Sequence, residues 1–497
     1  MLTGDVCDVW LGNTWVSSTD DDVIKRLNAG GTLSPDIGQF DLLGKWFDIC
    51  DETHQSCGKS TDTWPTRVVF VGHSNKNSLQ LQELESSVDY IALSHCWGDK
   101  TLEREQCLTT DRNYSQRKQG FQYDQLPRLF QNAIEVTRNL GKDYLWIDAL
   151  CIIQGNKDDW QKEGKKMEDV FASAYCTIAP SSATCWVDGF LSNFPTKIPI
   201  HKVCQSPNPE HDFSQHVDNG PLSKRAWVLQ ERILSRRTIF FTSRGIYWEC
   251  GNGVRCGNLT ILKCPLSRWY SIDSNFPSRL HISGVSSTIT FLQELIKDYT
   301  SRCLTVKTDR VLAFSGLAKR ISKALDTYEN HGIFENVMHR LLLWKRPDSK
   351  TKPLDYEQFK PPSWSWMAYN GRVDFMTVSP LRVSRRLRFA HDHLEVEIRT
   401  FAVEMLKNCE MRKDKEYYTV IAGQKEVGSF YFDTDKTLFE SCVVIGIDKE
   451  DRDDVSDKIY YILIVDKCWG QGCYRRLGVG KIQARYVSEE NGDGKLV

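Results

Sequence analysis

The sequence predicts an α/β fold in which a mostly parallel, doubly wound sheet with flanking helices is followed by a helical region and then a β-rich C-terminal region. Three observations predict it. Between residues 88 and 250, apolar strand-like runs alternate with stretches of helical periodicity, the signature of strands joined by crossover helices. From 285 the apolar residues recur at helical spacing, and beyond 390 they alternate singly with polar ones.

Residues 1–60 are mixed and turn-rich, ending in the helix-like LLGKWFDIC and then DETHQSCGKS. TRVVFV (66–71) and LQLQEL (79–84) read as short strands around the polar turn GHSNKNS. VDYIALSHC is the first strand of the alternating region. Leu126, Leu129, Phe130, Ala133, Ile134, Thr137 and Leu140 then share a helical face, with Pro127 suited to a first turn and Gly141 to a stop. DYLWIDALCII reads as the second strand. The next helix puts Trp160, Gly164, Met167, Phe171 and Ala174 on one face and Lys162, Glu163, Lys165, Lys166 and Asp169 on the other.

YCTIAPSS is a third strand. A polar, proline-bearing excursion over 192–221 reads as a long surface loop, and after it come the helix SKRAWVLQERILS and the strands RTIFFTS and GIYWECG. Residues 285–350 read as helical, with stripes at Phe291, Leu292, Leu295, Ile296, Tyr299 and at Val311, Leu312, Phe314, Leu317, Ala318, Ile321. PPSWSWMAYNG (361–371) interrupts them. Leu394, Val396 and Ile398 alternate with charges, and YYTVIAG, GSFYF, SCVVIGI and IYYILIV continue as antiparallel strands. The expected domains are therefore a lead-in over 1–84, the α/β domain over 85–260, a helical region over 261–360 and a β-rich region over 361–497.

Charge narrows the function. With 64 Lys+Arg against 65 Asp+Glu, the chain lacks the basic excess that counterion release requires, so no nucleic-acid partner is expected. No apolar run approaches the ~18 residues of a membrane span, so no membrane partner is expected either. The 17 cysteines are odd in number and spread along the chain, and MLTGDVCDVWLGNTW carries Asp5 and Asp8 where a secretory leader would be basic and then apolar. Free thiols and a cytoplasmic location follow as expectations.

The first strand ends in Ser94-His95-Cys96-Trp97-Gly98-Asp99, at the carboxyl end where open parallel sheets place ligands. Ser94, His95 and Cys96 point to alternating faces, so a nucleophile and base pair is disfavoured, whereas amides near Gly98 suit a phosphate. Asp148 leaves an apolar strand and needs a partner, a ligand or a turn to cap. Trp227 and Glu231 lie four apart on one helix face, and by spacing alone Glu231 is a solvated or paired carboxylate between Arg225 and Arg232. Cys50, His54 and Cys57 are zinc-compatible types, but three ligands do not close a structural tetrahedron. A fourth would come from afar, such as Cys7 or His73; the expectation is structural thiols beside a surface histidine, with no metal. Cys250, Cys256 and Cys264 match no common zinc spacing.

Three blocks in order resemble the fungal heterokaryon incompatibility domain: YIALSHCWGD (90–99), the run from LPRLFQNAIEV to YCTIAPSS (126–182), and LSKRAWVLQERILSRRTIFF with YWECG (222–251). FDICDETHQSCG, LTVKTDRVLAFSGLA, PPSWSWMAYNG and YRRLGVG are phrases similar to those of the family's larger proteins. The resemblance implies a self/non-self recognition protein whose activation leads to growth arrest or cell death. It also implies a distant relationship to Toll/interleukin-1 receptor (TIR) domains, hence a flavodoxin/TIR-like sheet that assembles on activation and in many cases hydrolyses NAD.

IALSHCWGDKT is similar to the FLSFRGxDTR strand and loop of plant TIR domains, and Trp227-x3-Glu231 to their WCxxE, with Val228 where the pattern has cysteine. The resemblance makes Glu231 the catalytic carboxylate. Ser94, His95, Trp97, Gly98, Asp99, Asp148 and Trp227 become the binding residues for NAD, a substrate rather than a tightly held cofactor. The implied partner is the domain itself or another incompatibility protein. The alternatives are a self-associating signalling module without catalysis, or recruitment to secondary metabolism.

Overall fold

The computed structural model describes residues 16–28, 36–58, 63–72, 77–99, 101–191, 197–199, 212–263, 276–277, 280, 284–347, 353–357, 360–378, 381–384, 386–402, 406–414, 416–434, 439–449, 457–468, 470 and 472–497. It divides into two compact units, residues 1–281 with 315–317, and residues 282–314 with 318–497.

The first unit is organised by four short parallel strands. They are β1 (Tyr90–Leu93), β2 (Tyr144–Trp146), β3 (Cys176–Pro180) and β4 (Arg237–Thr242), hydrogen-bonded side by side in the order β2-β1-β3-β4. This is the order of a flavodoxin-like doubly wound sheet, in which the chain first steps to one side of β1 and then returns to the other. The strands read YIAL, CTIAP and RTIFFT with every residue buried, as expected of parallel strands covered on both faces. Antiparallel strands extend the sheet both ways. Arg67–Phe70 pairs with β2 and carries Ser78–Glu83 beyond it, while Gly245–Cys250 pairs with β4 and leads through Gly253–Cys256 to Thr260–Lys263.

Three helices make the crossovers: α1 (Arg128–Asn139), α2 (Lys157–Ser173) and α3 (Ala226–Leu234). α2 and α3 pack against each other on one face of the sheet. The right-handed rule for parallel crossovers places α1 on the other. The two-residue alternation of β1 fits this division: the Tyr90 hydroxyl donates to the Val170 carbonyl of α2 at 2.5 Å, whereas the His95 ring meets Phe130 of α1 edge-on at 5.2 Å.

Three local expectations change. DYLWIDALCII is not one strand, because β2 stops at Trp146 and Asp148–Cys151 turns into a short helix in which the Ala149 amide donates to the Asp148 carboxylate at 2.7 Å. Glu163 is not on the solvated face of α2; it is buried, accepting from the Thr66 hydroxyl at 2.8 Å with Arg67 at 4.0 Å. Within the excursion, Ser214–Asp218 forms a helical turn that brings Phe213 and Val217 into the core, and residues 192–196 and 200–211 lie outside the described residues.

The second unit begins with the predicted helices, Val285–Ser301 and Leu312–Ala324. Helix does not continue to 350: positive φ at Asp326, His331 and Gly332 opens a two-residue hairpin pairing Glu329–Asn330 with Ile333–Phe334. The remainder is a ten-stranded, largely antiparallel sheet in which Leu394, Val396 and Ile398 point inward as the alternation requires. Its most buried charge is Arg476, which donates to Asp433 at 2.8 Å and to the Leu342 carbonyl at 2.7 Å while lying 3.5 Å from the centre of the Trp344 ring. Such a pair is tolerated because the remaining donors are satisfied as well.

Candidate functional site

The carboxyl ends of β1 and β3 lie where the sheet order reverses, the place at which open α/β folds bind ligands. Most of the residues singled out by the sequence come to this end, but they fall into two groups divided by the pleat of β1.

On the α3 side, the Ser94 hydroxyl donates to the Glu231 carboxylate in a short hydrogen bond. Both are buried, Glu231 at 6% exposed and Ser94 at 3%. The sequence expectation of a solvated or arginine-paired Glu231 is therefore corrected. Arg232 turns away from it and forks onto Glu249 at 2.6 and 2.7 Å, with Asp218 at 2.9 Å, and Arg225 donates to the His95 carbonyl instead. Successive helix positions are rotated by about a third of a turn, so adjacent Glu231 and Arg232 serve different neighbours. Trp227, four residues before Glu231, meets Trp160 of α2 edge-on at 5.8 Å.

On the α1 side an aromatic box assembles. The His95 and Trp97 rings are near-parallel at 6.3 Å, and Trp186 lies 6.0 Å from His95, 5.6 Å from Trp97 and 4.9 Å from Phe130. Asp148 anchors it: one carboxylate oxygen accepts from Trp97 Nε1 at 2.7 Å, and the other accepts from the Ala149 amide and sits 3.7 Å from His95 Nδ1. Asp148 is thus both the cap of its own turn and the acceptor that sets the Trp97 ring. Gly98 and Asp99 form the exposed lip. Gly98 has φ +64°, and an added Cβ would stand 2.5 Å from that of Cys185, which makes glycine necessary there.

The loop after β3 closes the box. Asp188 accepts from the Thr184 amide and hydroxyl at 2.8 and 2.9 Å and from the Cys185 amide at 3.2 Å. Partial desolvation opposes ionisation, but these donors hold the Asp188 carboxyl below its usual range. Burial pushes the Cys96 thiol up, away from the thiolate form. Sequence reading missed Trp186 and Arg225 as members of the site. Both lie in loops whose approach to β1 is fixed by tertiary structure, and the only local signal was a tryptophan in the polar stretch ATCWVDG following a strand.

A second constellation lies at the other end of the sheet. Cys50, His54 and Cys57 are joined by Cys250, and their four ligand atoms all lie within 4.8 Å of one another. The sequence reading of two thiols beside a surface histidine lacked this fourth member. Cys7, His73 and Cys264 lie outside the described residues, and Cys256 is packed separately in the core with Phe213 and Tyr247.

The heterokaryon incompatibility protein (HET) family model matches residues 90–231, from the first residue of β1 to Glu231 itself. No curated protein matches the chain, and no solved structure matches it. Among the described residues no helix is long and apolar enough to cross a membrane.

Proposed function

We propose, for a chain that carries a heterokaryon incompatibility domain over residues 90–231, that it acts in fungal non-self recognition and that its α/β domain hydrolyses NAD on assembling with itself or with another incompatibility protein, leading to growth arrest or cell death. The observation that carries the reading is the buried Glu231 carboxylate held by Ser94 at the carboxyl end of β1. A carboxylate so held, in a site of low dielectric, stabilises positive charge more than water does.

In this reaction the bond between ribose C1′ and the nicotinamide nitrogen breaks, and its electron pair leaves with nicotinamide, which becomes neutral. Positive charge develops on the ribose, and Glu231 stabilises it as carboxylates do in glycoside hydrolysis. Water then adds to C1′ and releases a proton, giving ADP-ribose, nicotinamide and H⁺. Ser94 orients Glu231. The amino end of α3, whose first amides have no partner within the helix, and the turn through Gly98 suit the pyrophosphate, and Trp97 presents a ring for stacking.

The test is nicotinamide release from NAD by purified protein, dilute and assembled. Release by assembled wild type and its loss in Glu231→Gln supports hydrolysis; equal silence of the two rejects it. Toxicity that persists in Glu231→Gln and disappears when an exposed surface is altered would instead select the non-enzymatic module, in which the bond from Ser94 to Glu231 is purely structural.

A further inference from the structure

We infer that Cys50, His54, Cys57 and Cys250 form a closed Cys₃His zinc site that fastens the segment before the incompatibility domain to the strand pair after it. The inference is independent of the NAD reading.

Four donors of the types zinc prefers converge, and none is spare. Cys50 lies in the last turn of the helix Gln39–Thr53, His54 follows it, and Cys57 closes the next turn. Cys250 arrives from the end of the strand Gly245–Cys250, 196 residues beyond His54. The three cysteines are free thiols, each at most 4% exposed.

The spacing suits one tetrahedral ion. With Zn–S near 2.3 Å and Zn–N near 2.0 Å, the sulfur-to-nitrogen edge of a tetrahedron is about 3.5 Å. His54 Nδ1 lies 3.5 Å from Cys250 Sγ. The other ring nitrogen, Nε2, is 2.8 Å from the side-chain amide of Asn252. When Nδ1 ligates a metal, Nε2 keeps its hydrogen, and the amide turned to present its oxygen accepts it, the outer partner that ligating histidines ordinarily have. All four donors lying within 4.8 Å calls for one ion rather than a two-iron cluster.

Charge fits as well. Three thiolates and Zn²⁺ sum to −1, and a buried cation stands beside them. Arg237 is 2% exposed; its NH2 pairs with the Asp51 carboxylate at the surface, while its Nε and NH1 groups have no hydrogen-bond partner among the described residues and its charge also acts on Cys50. Arg236 adds a bond of 3.1 Å to the Cys57 carbonyl. A complete ligand set with no open position makes the site structural rather than catalytic. Its ligands come from both sides of residues 90–231, so the ion would join elements that the family match does not span.

Tag-free full-length protein, purified without chelator, is expected to contain about one zinc per chain by inductively coupled plasma mass spectrometry. Replacement with Co²⁺ should give the visible bands of a tetrahedral ion and a thiolate-to-cobalt charge-transfer band. Cys57→Ser and Cys250→Ser should each weaken zinc affinity at least tenfold, while Cys303→Ser, at an exposed thiol elsewhere, leaves it unchanged. Should those two variants not fold, the wild-type metal content and cobalt spectrum still decide. Wild type free of zinc after reconstitution, an octahedral cobalt spectrum, iron in place of zinc, or zinc retained in full by both cluster variants would overturn the inference.

Discussion

The two ends of the central sheet are built for different tasks. At the carboxyl ends of the parallel strands the polar groups gather in two sets: Ser94 with Glu231 on one side of β1, and His95, Trp97 and Asp148 on the other. At the amino end of β4 the polar groups are locked onto one another. Arg237 pairs with Asp51, Arg236 binds carbonyls, and four side chains of metal-ligand type, three cysteines and a histidine, converge. The difference teaches where sequence changes should cost stability and where they should cost function.

The largest effect is expected at Arg232, whose guanidinium ties α3 to Glu249 and Asp218. Arg232→Met takes the shared guanidinium away from two buried carboxylates, and breaking such a network costs about 3–5 kcal/mol. Chemical denaturation should show that loss; a change below about 1 kcal/mol would mean the network does not hold α3 to the strand Gly245–Cys250. At the crevice lip the expected cost is smaller. Gly98→Ala combines a positive φ with a clash against Cys185 and should cost about 1–3 kcal/mol, measured in the same way. An unchanged stability would show that the lip adjusts freely.

The smallest effect concerns thiol chemistry. Burial pushes the Cys151 and Cys176 thiols up to about 12, so both stay protonated throughout the neutral range. Alkylation of native protein at pH 8 should spare them and modify the exposed Cys303, as read by peptide mass spectrometry. Rapid labelling of Cys151 or Cys176 would show that this core opens.

Sequence patterns reveal one end of the sheet better than the other. Alternation along YIALSHC was enough to predict that Ser94 and His95 face opposite ways, because the strand period is a property of local backbone. The parallel pairing of these strands followed from strand and helix order in the same manner. Spacing did not reveal which neighbour Glu231 would choose, since both flanking arginines were within reach along the chain and the folded structure gave them to other acceptors. Nor did it reveal Cys250 as the companion of Cys50, His54 and Cys57. That pairing depends on the antiparallel return of Gly245–Cys250 alongside β4, which sets Cys250 opposite Arg237. Contacts made through sheet register between distant segments leave no periodic trace in the sequence.

The central claim is that the carboxyl end works while the amino end holds, and a paired comparison of Glu231→Gln with Cys57→Ser tests it most directly. Thermal unfolding and nicotinamide release are measured on both proteins and on wild type. Glu231→Gln should unfold within about 4 °C of wild type, a change of roughly 1 kcal/mol or less, and release no nicotinamide. Cys57→Ser should unfold at clearly lower temperature yet retain release at temperatures where it is folded. Release by Glu231→Gln at the wild-type rate, or a Cys57→Ser protein as stable as wild type, would contradict the division.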